Sequence, residues 1–209
     1  MPGRLLVTGF GPFPGVPRNP SARLAERIAR HPRLRLLLAE APELLVLRTA
    51  YAAIPAQLEP ALARDPAAVL MIGVAARAKR VRVEVRALNR ASRLFPDASG
   101  GTARRLALDP EGPPQRKSPA AERARLAMRR RGLDAARSRE AGRYLCNAGY
   151  YRTLAEGKPA IFLHIPLPPP PARRGPRRPR ALDLWTQAGI EAALALLRAA
   201  PVAAAARPA

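Results

Sequence analysis

Residues 138–166 read SREAGRYLCNAGYYRTLAEGKPAIFLHIP, a stretch that combines a helix signal, a strand signal and the single cysteine of the chain. Residues 147–155 are predicted to form a helix, and residues 160–166 are typical of a buried strand that a proline ends. Cys146 would lie where that helix begins, and the positive end of a helix dipole favours a thiolate. His164 lies near the end of the strand. The pair is a candidate nucleophile and base.

A different interpretation of the same pair is purely structural. A single cysteine is often a small buried apolar residue, and a histidine in a strand is often a core residue with its hydrogen bonds satisfied. Sequence around the two residues is needed to decide between these interpretations.

Outward from this stretch, strand and helix signals alternate along the chain. Strands are predicted at residues 4–8, 43–49, 69–74 and 81–87, and helices at residues 20–31, 54–64, 120–131 and 182–200. Alternation of this kind indicates an α/β fold, here a three-layer α/β/α sandwich around a mostly parallel, twisted sheet. Sites in such sheets lie at the carboxyl ends of the strands, where the loops after Gly9, Gly73 and His164 would meet.

The length and the cysteine content bound the class of protein. A chain of 209 residues can bury a sizeable core as a single domain, expected here over residues 1–209, without a disulfide. One cysteine indicates a reducing compartment. The N-terminal residues show neither a signal peptide nor an apolar run long enough to span a membrane, so we expect a cytoplasmic protein.

The charge is strongly positive. Lys and Arg number 37 against 15 Asp and Glu, a formal net charge of +22. Such a field attracts nucleic acid or acidic surfaces, but the arginines are scattered, aromatic residues are few and no nucleic-acid-binding motif is present. Any such binding would be non-specific. Residues 168–180, rich in Pro and Arg, are expected to form an extended loop, and residues 201–209 a flexible tail.

Three separated blocks resemble one known family, in the family's order. They are VTGFGPF at 7–13 followed by NPS at 19–21; GVA at 73–75 with VE at 83–84, ALN at 87–89 and PD at 96–97; and AG at 141–142, YLCN at 144–147 and FLHIP at 162–166. The family is pyroglutamyl peptidase I, also called pyrrolidone-carboxylate peptidase: cytosolic cysteine peptidases that remove an N-terminal pyroglutamate.

The resemblance implies a catalytic triad and a substrate pocket. Cys146 would be the nucleophile, His164 the base, and Glu84 the acidic residue that orients the imidazole. Phe10 and Phe13 would hold the flat faces of the lactam ring. It also implies no metal or organic cofactor, and a homodimer or homotetramer. Taken locally, the alternating pattern of residues 81–87 allows another interpretation, in which Glu84 lies on a charged solvent face.

The chain departs from the family at two places near the site. Ala76, Arg77 and Ala78 stand where the family has a Gly-Gly-Arg or Pro-Gly-Arg turn, and Val85 stands where arginine usually follows the glutamate. Two alternatives therefore stay open beside the peptidase. One is a catalytically weakened relative that binds nucleic acid or an acidic partner, and the other is a cysteine hydrolase of another small cyclic amide.

Overall fold

A computed structural model describes residues 4–38, 40–168 and 181–200. Eight strands appear in it: β1 (Leu5–Phe10), β2 (Glu43–Leu47), β3 (Ala68–Val74), β4 (Val81–Glu84), β5 (Arg86–Leu88), β6 (Gln115–Lys117), β7 (Ala135–Ser138) and β8 (Ala160–Ile165). Six α-helices accompany them: α1 (Pro20–Ala29), α2 (Pro32–Leu37), α3 (Glu59–Ala63), α4 (Ala121–Arg130), α5 (Leu145–Leu154) and α6 (Ala181–Leu197). A π-helical turn, Ile54–Leu58, leads into α3.

The main sheet has six strands in the order β2-β1-β3-β8-β4-β7. β2, β1, β3 and β8 run parallel to one another, β4 is antiparallel to β8, and β7 is parallel to β4. Strands β5 and β6 form a separate antiparallel pair. The central strands β1, β3 and β8 are almost continuously buried because helices cover both of their faces.

Each face of the sheet has its own hydrophobic cluster. On one face, Leu70, Ile72, Ile161 and Leu163 pack with helices α1, α4 and α6. On the other, alternate residues of the same strands pack with α3, α5 and the π-helical turn. The period of two along a strand divides its side chains between these clusters. The predicted three-layer α/β/α sandwich around a mostly parallel sheet is confirmed.

Several predicted boundaries move when the chain folds. The predicted strand at residues 81–87 is in fact two, because the chain leaves the main sheet at Val85, whose N–H donates to the Ser138 carbonyl at 2.8 Å. Strands β6 and β7 were not predicted. His31, expected at the end of the first helix, instead caps α2, where its Nδ1 accepts from the Arg33 N–H at 3.3 Å.

Two of the sequence predictions fall largely or wholly outside the described residues. These are the Pro/Arg-rich loop at 168–180, of which only residue 168 is described, and the tail at 201–209. Within residues 4–38, 40–168 and 181–200, no helix is both long enough and apolar enough to cross a membrane.

Candidate active site

Cys146 lies in the first turn of α5. The helix begins at Leu145, with Tyr144 as its N-cap residue in an extended conformation, so it starts two residues earlier than predicted. The sulfur is partly exposed, and the cysteine is a free thiol. The first turn of a helix presents unpaired N–H groups and a positive dipole end. The backbone around Cys146 is therefore suited to an anionic sulfur.

Gly73 makes room for this sulfur. A Cβ atom built at position 73 would lie 2.8 Å from the Cys146 Sγ and 2.8 Å from the Phe162 Cζ, closer than carbon atoms normally approach. In the parallel pairing of β3 with β8, Gly73 also stands opposite His164. The missing side chain lets the start of α5 lie directly on the carboxyl ends of these two strands.

His164 and Glu84 form a buried pair. The Nδ1 atom of His164 lies 2.8 Å from the Oε1 atom of Glu84. Glu84 has none of its surface exposed and His164 has 5%. In the β4–β8 ladder His164 stands opposite Arg82, so Glu84, two residues on, is its diagonal neighbour on the same face. The interpretation that places Glu84 on a solvent face is wrong.

The surroundings of His164 favour its protonated form. Burial lowers the pKa of the imidazole, but hydrogen bonds with Cys146 and Glu84, and the negative charges of these groups, outweigh burial and raise it to about 9. A charged imidazole buried beside a carboxylate and a sulfur is stabilised by both partners. The structure therefore brings Cys146, His164 and Glu84 together, and the raised pKa of His164 favours the imidazolium.

Tyr150 braces the strand that carries Glu84. Its side chain is fully buried, and its hydroxyl donates to the Glu84 carbonyl at 3.0 Å. Burial raises the pKa of Tyr150, so the hydroxyl remains a donor. Its ring also packs against Phe162, with the ring centroids 5.5 Å apart. One helix, α5, thus supplies the thiol and also holds the backbone of the carboxylate's strand.

A small cavity opens beside the Cys146 sulfur. It has a volume of about 80 Å³ and is lined by Phe10, Phe13, Asn19, Thr49, Val74, Tyr144, Leu145 and Cys146. Phe10 is buried and Phe13 is partly exposed. The structure therefore places both predicted phenylalanines around the Cys146 sulfur.

The loop that carries Phe13 is held by one carbonyl group. The Gly11 carbonyl accepts from the Asn19 amide at 2.8 Å and from the Thr49 hydroxyl at 2.9 Å. Asn19 also caps α1, because its Oδ1 accepts from the Ser21 N–H at 3.0 Å. Asn19 therefore both caps the helix and fixes the loop through its amide.

Tyr144 lines the cavity and contacts the loops that contain Tyr51 and Pro96. Its hydroxyl donates to the Pro96 carbonyl at 3.0 Å, and its ring meets Tyr51 edge to face at 5.8 Å. Burial, followed by the nearby Asp97 charge, raises the pKa of Tyr144 to about 12. Asp97 itself accepts from the N–H groups of Tyr51, Ser99 and Gly101 and so organises this loop.

Sequence reasoning missed several residues that shape the site. Gly73 was predicted only to precede a loop at this edge of the sheet, while Val74, Thr49, Tyr144 and Tyr150 were not given a role in the site. The positions of Tyr144 and Tyr150 in the segment around Cys146 were a usable signal, because residues flanking a nucleophile on its helix remain near it. In the part of the chain that the structure describes, no three His, Cys, Asp or Glu residues lie close enough together to hold a metal ion.

Comparison with known proteins agrees with this geometry. The family model for pyroglutamyl peptidase matches residues 3–176. The chain is 34% identical over 202 residues to the pyrrolidone-carboxylate peptidase of Gloeobacter violaceus, which covers 93% of this chain and 97% of the relative. It is 31% identical over 184 residues to pyrrolidone-carboxylate peptidase 1 of Caldanaerobacter subterraneus, covering 84% of this chain and 88% of that protein.

Solved structures give the same result. Pyrrolidone carboxyl peptidase from Thermus thermophilus superposes with a TM-score of 0.75 at 28% identity, covering 92% of this chain and 99% of that one. Pyroglutamyl peptidase I from Bacillus amyloliquefaciens, at 24% identity, shares the fold with a TM-score of 0.78, covering 94% of this chain and 97% of its own. By sequence and by fold, the chain belongs to the pyroglutamyl peptidase family.

Proposed function

We propose that the protein is a cysteine peptidase that removes an N-terminal pyroglutamyl residue from peptides. The observation that carries the proposal is the position of the His164 ring, beside a cavity lined by Phe10, Phe13 and Cys146. Its Nδ1 atom is held by the Glu84 carboxylate, and His164 stands opposite Gly73, whose backbone adjoins the Cys146 sulfur. Family membership supplies the substrate class.

In the acylation step, Cys146 is the nucleophile. Because the Nδ1 atom of His164 is held by Glu84, the Nε2 atom is the ring nitrogen left for the thiol proton. The thiolate attacks the pyroglutamyl carbonyl carbon, a C–S bond forms, and the C–N bond to the next residue breaks. The imidazolium gives its proton to the leaving amine. Glu84 acts as a positioning residue that holds the ring in the required orientation.

In the deacylation step, water replaces the departed peptide. Neutral His164 takes a proton from the water, whose oxygen attacks the thioester, and the Cys146 thiolate leaves to release free pyroglutamate. The carbonyl oxygen carries negative charge in both steps. The backbone N–H of Cys146, in the first turn of α5, is suited to bind it, because that N–H has no partner within the helix.

The cavity explains the choice of a lactam. Pyroglutamate has a flat ring with apolar faces, one N–H donor and one carbonyl acceptor, and no positive charge. The aromatic rings of Phe10, Phe13 and Tyr144 provide apolar walls. A free N-terminal ammonium would lose its hydration there without a carboxylate partner among the lining residues, so open-chain termini are disfavoured.

The two departures from the family leave this arrangement intact. The Ala78 N–H closes a turn onto the Ala75 carbonyl at 2.8 Å, and the Ala75 N–H donates to the Ile165 carbonyl at 2.9 Å, so the turn after Gly73 is ordered without glycine at 76 or 77. Val85 packs against the apolar cluster on the opposite face of the sheet. Neither change touches the sulfur, the imidazole or the carboxylate.

The direct test is hydrolysis of pyroglutamyl-aminomethylcoumarin by the purified protein. Prolyl-aminomethylcoumarin is the matched control, because it has a similar ring but carries a charged amine. We expect turnover of the first substrate alone, abolished by iodoacetamide. Absence of turnover from a folded sample would contradict the proposal.

Replacement of the nucleophile separates chemistry from folding. Cys146→Ala should lower kcat/KM by at least about 10³-fold, since the oxyanion site and binding alone give limited catalysis. Its melting temperature should stay close to that of the parent because the sulfur is partly exposed. Retained activity in this variant would show that another group is the nucleophile.

We also propose that the protein works in the cytoplasm as a homodimer or homotetramer. A single free thiol at the site needs a reducing compartment to remain nucleophilic. Leu36, Leu94 and Phe95 expose more than half of their surfaces, and contacts between subunits commonly cover such side chains. Light scattering should give a multiple of 22.5 kDa, and a monomeric mass would contradict the assembly.

A further inference from the structure

A concave, strongly cationic surface lies beside strands β4 and β7. It has a volume of about 570 Å³, and six of its eight lining residues are basic: Arg77, Lys79, Arg80, Arg82, Arg137 and Arg139. The other two lining residues are Ala136 and Ser138. We name these eight residues the basic shelf.

Most of the charge on the basic shelf is uncompensated. Arg80 pairs with Asp134 at 3.4 Å, and Arg137 approaches Glu122 at 3.7 Å, both near the limit for an ion pair. Within the described residues, the other four cations make no ion pair with a carboxylate. Like charges held around one concavity repel each other, so binding of an anionic group there is favoured.

The basic shelf adjoins the catalytic pair. In the antiparallel pairing of β4 with β8, Arg82 stands opposite His164, and in the parallel pairing of β4 with β7, Ser138 stands opposite Glu84. Residues opposite one another in a ladder point to the same face of the sheet. Arg82, Ala136 and Ser138 of the shelf therefore lie on the same face of the sheet as the imidazole. Arg137, which stands opposite Val83, lies on the other face of β7, and the shelf thus follows the edge of the sheet.

The order of the strands indicates the direction in which a bound peptide would cross the sheet. The cavity beside Cys146 is lined by residues at the ends of β1 and β3, His164 lies on β8, and the basic shelf lies at β4 and β7. The imidazole thus stands between the cavity and the shelf. A lactam in the cavity must direct its leaving amine toward His164, because the imidazolium donates the proton to that nitrogen.

The leaving peptide then extends toward the basic shelf. Neighbouring strands are about 4.8 Å apart, and an extended chain advances about 3.3 Å per residue. From β8 to β7 is two strand spacings, which about three residues span. The residues that follow the scissile bond are therefore within reach of the shelf cations.

We propose that the basic shelf binds the segment that follows the pyroglutamyl residue, and that the preferred substrates are pyroglutamyl peptides with Asp or Glu in the second to fourth positions. This inference rests on the proposed function, because the direction of the leaving peptide follows from the role of His164. It adds a preference for acidic substrates at a surface outside the lactam cavity.

The test compares three peptides that differ only in charge: pyroglutamyl-Ala-Glu-Glu-Ala amide and the same peptide with Gln-Gln or Lys-Lys at the two central positions. At low ionic strength, kcat/KM for the Glu peptide should exceed that for the Lys peptide by about tenfold, as two exposed charge contacts provide. The ratio should fall as salt is added. Equal kcat/KM for all three peptides would overturn the proposal.

Charge reversal assigns the effect to the basic shelf. Arg77→Glu with Lys79→Glu should remove the preference for the Glu peptide, judged by the Glu/Lys ratio within each variant so that any general loss of activity cancels. The matched control is Arg23→Glu with Arg35→Glu, the same change in net charge at exposed positions on α1 and α2, which pack on the opposite face. If the Glu/Lys ratio of kcat/KM fell equally in both double variants, the preference would be a general effect of net charge. That result would contradict the proposed role of the basic shelf.

A binding measurement keeps the two proposals separate. Fluorescence anisotropy of the labelled Glu and Lys peptides with Cys146→Ala should give tighter binding of the Glu peptide, lost when the shelf charges are reversed. If pyroglutamyl-aminomethylcoumarin is not hydrolysed but this preference is present, the proposed function fails and the shelf stands. If an RNA oligonucleotide binds the shelf while the peptides show no preference, the surface serves nucleic acid and the peptide proposal fails.

Discussion

The two faces of the central sheet are built from alternate residues of the same strands, yet their contents differ. The face under α1, α4 and α6 receives apolar side chains from β1, β3, β4 and β8, among them Leu70 and Ile161. The face under α5 receives Thr8, Glu84 and His164, all buried, beside apolar neighbours. The face under α1, α4 and α6, here called the apolar face, stabilises the fold by burying hydrophobic side chains. The face under α5 holds a charged pair that burial alone would disfavour.

This contrast shows how the fold tolerates a buried charge. The Glu84 carboxylate and the His164 imidazole neutralise each other, and Tyr150 ties the strand of Glu84 to α5. The second oxygen of Glu84 has no hydrogen-bond partner among the described residues, so the arrangement is not optimised for stability alone. Substitutions on the two faces should therefore affect different quantities.

Among substitutions that leave the nucleophile in place, the largest effect is expected from Glu84→Gln. The pKa of His164 is raised to about 9, so the imidazolium should persist to that pH, and activity should fall as the pH rises through 9. Removing the Glu84 charge lowers the pKa of His164, so this alkaline limit should move to lower pH, with a loss in kcat/KM of roughly 10²-fold at pH 8.

The pH profile of pyroglutamyl-aminomethylcoumarin hydrolysis checks this expectation. Glu122→Gln is the control, because that carboxylate pairs with Arg125 on α4, on the opposite face of the sheet. An alkaline limit that stays in place in Glu84→Gln would show that the carboxylate does not act through the imidazole.

Gly73→Ala should come next. The new methyl group would collide with the Cys146 sulfur and the Phe162 ring, and a displacement of about 1 Å in a nucleophile can lower the rate by roughly 10²-fold. Gly149→Ala is the matched control on the same face, since its Cβ would meet only the side-chain ends of Met71 at 3.4 Å and Leu58 at 3.7 Å. The rates of iodoacetamide labelling and of substrate hydrolysis should both fall in Gly73→Ala and stay close to those of the parent in Gly149→Ala. Equal loss in both would mean that tight packing at Gly73 has no special role.

On the apolar face, Leu70→Ala should reduce the free energy of unfolding and leave kcat nearly unchanged. Leu70 is completely buried, and such a truncation costs about 3 kcal/mol in the free energy of unfolding. Urea denaturation measures the loss, and kcat of the folded variant should remain within about twofold of the parent. A large drop in kcat without a drop in the free energy of unfolding would contradict the conclusion that the two faces of the sheet serve stability and catalysis separately.

The smallest effect is expected from Tyr150→Phe. The variant keeps the ring and loses one hydrogen bond to the Glu84 carbonyl, a change of about 1 kcal/mol in stability. Because that bond braces the strand of Glu84, kcat should also fall a few-fold. Tyr151→Phe, which loses only a bond to the Pro113 carbonyl, should affect stability without changing kcat. If Tyr150→Phe and Tyr151→Phe lose the same fraction of kcat, the Tyr150 hydroxyl has no special role in positioning Glu84.

Much of the fold could be predicted because its signals are local. The apolar run of β3, the strand of His164 and the helix after Cys146 each show a periodic pattern within ten residues, and all three are found within two residues of the predicted bounds. Where β4 would pair, and that it would leave the sheet at Val85, depended on contacts with β7 and β8, which are distant in sequence.

For the site, the sequence by itself determined the residue types: a lone cysteine at a helix start, a histidine in a buried strand, and a glutamate in an alternating strand. Only the tertiary structure decided which face of β4 is covered, and hence that Glu84 is buried beside His164. Arg82, two residues away on the same face, belongs to the basic shelf. The physical reason is that alternation defines two faces of a strand, but the elements that pack on the sheet determine which of them loses contact with water.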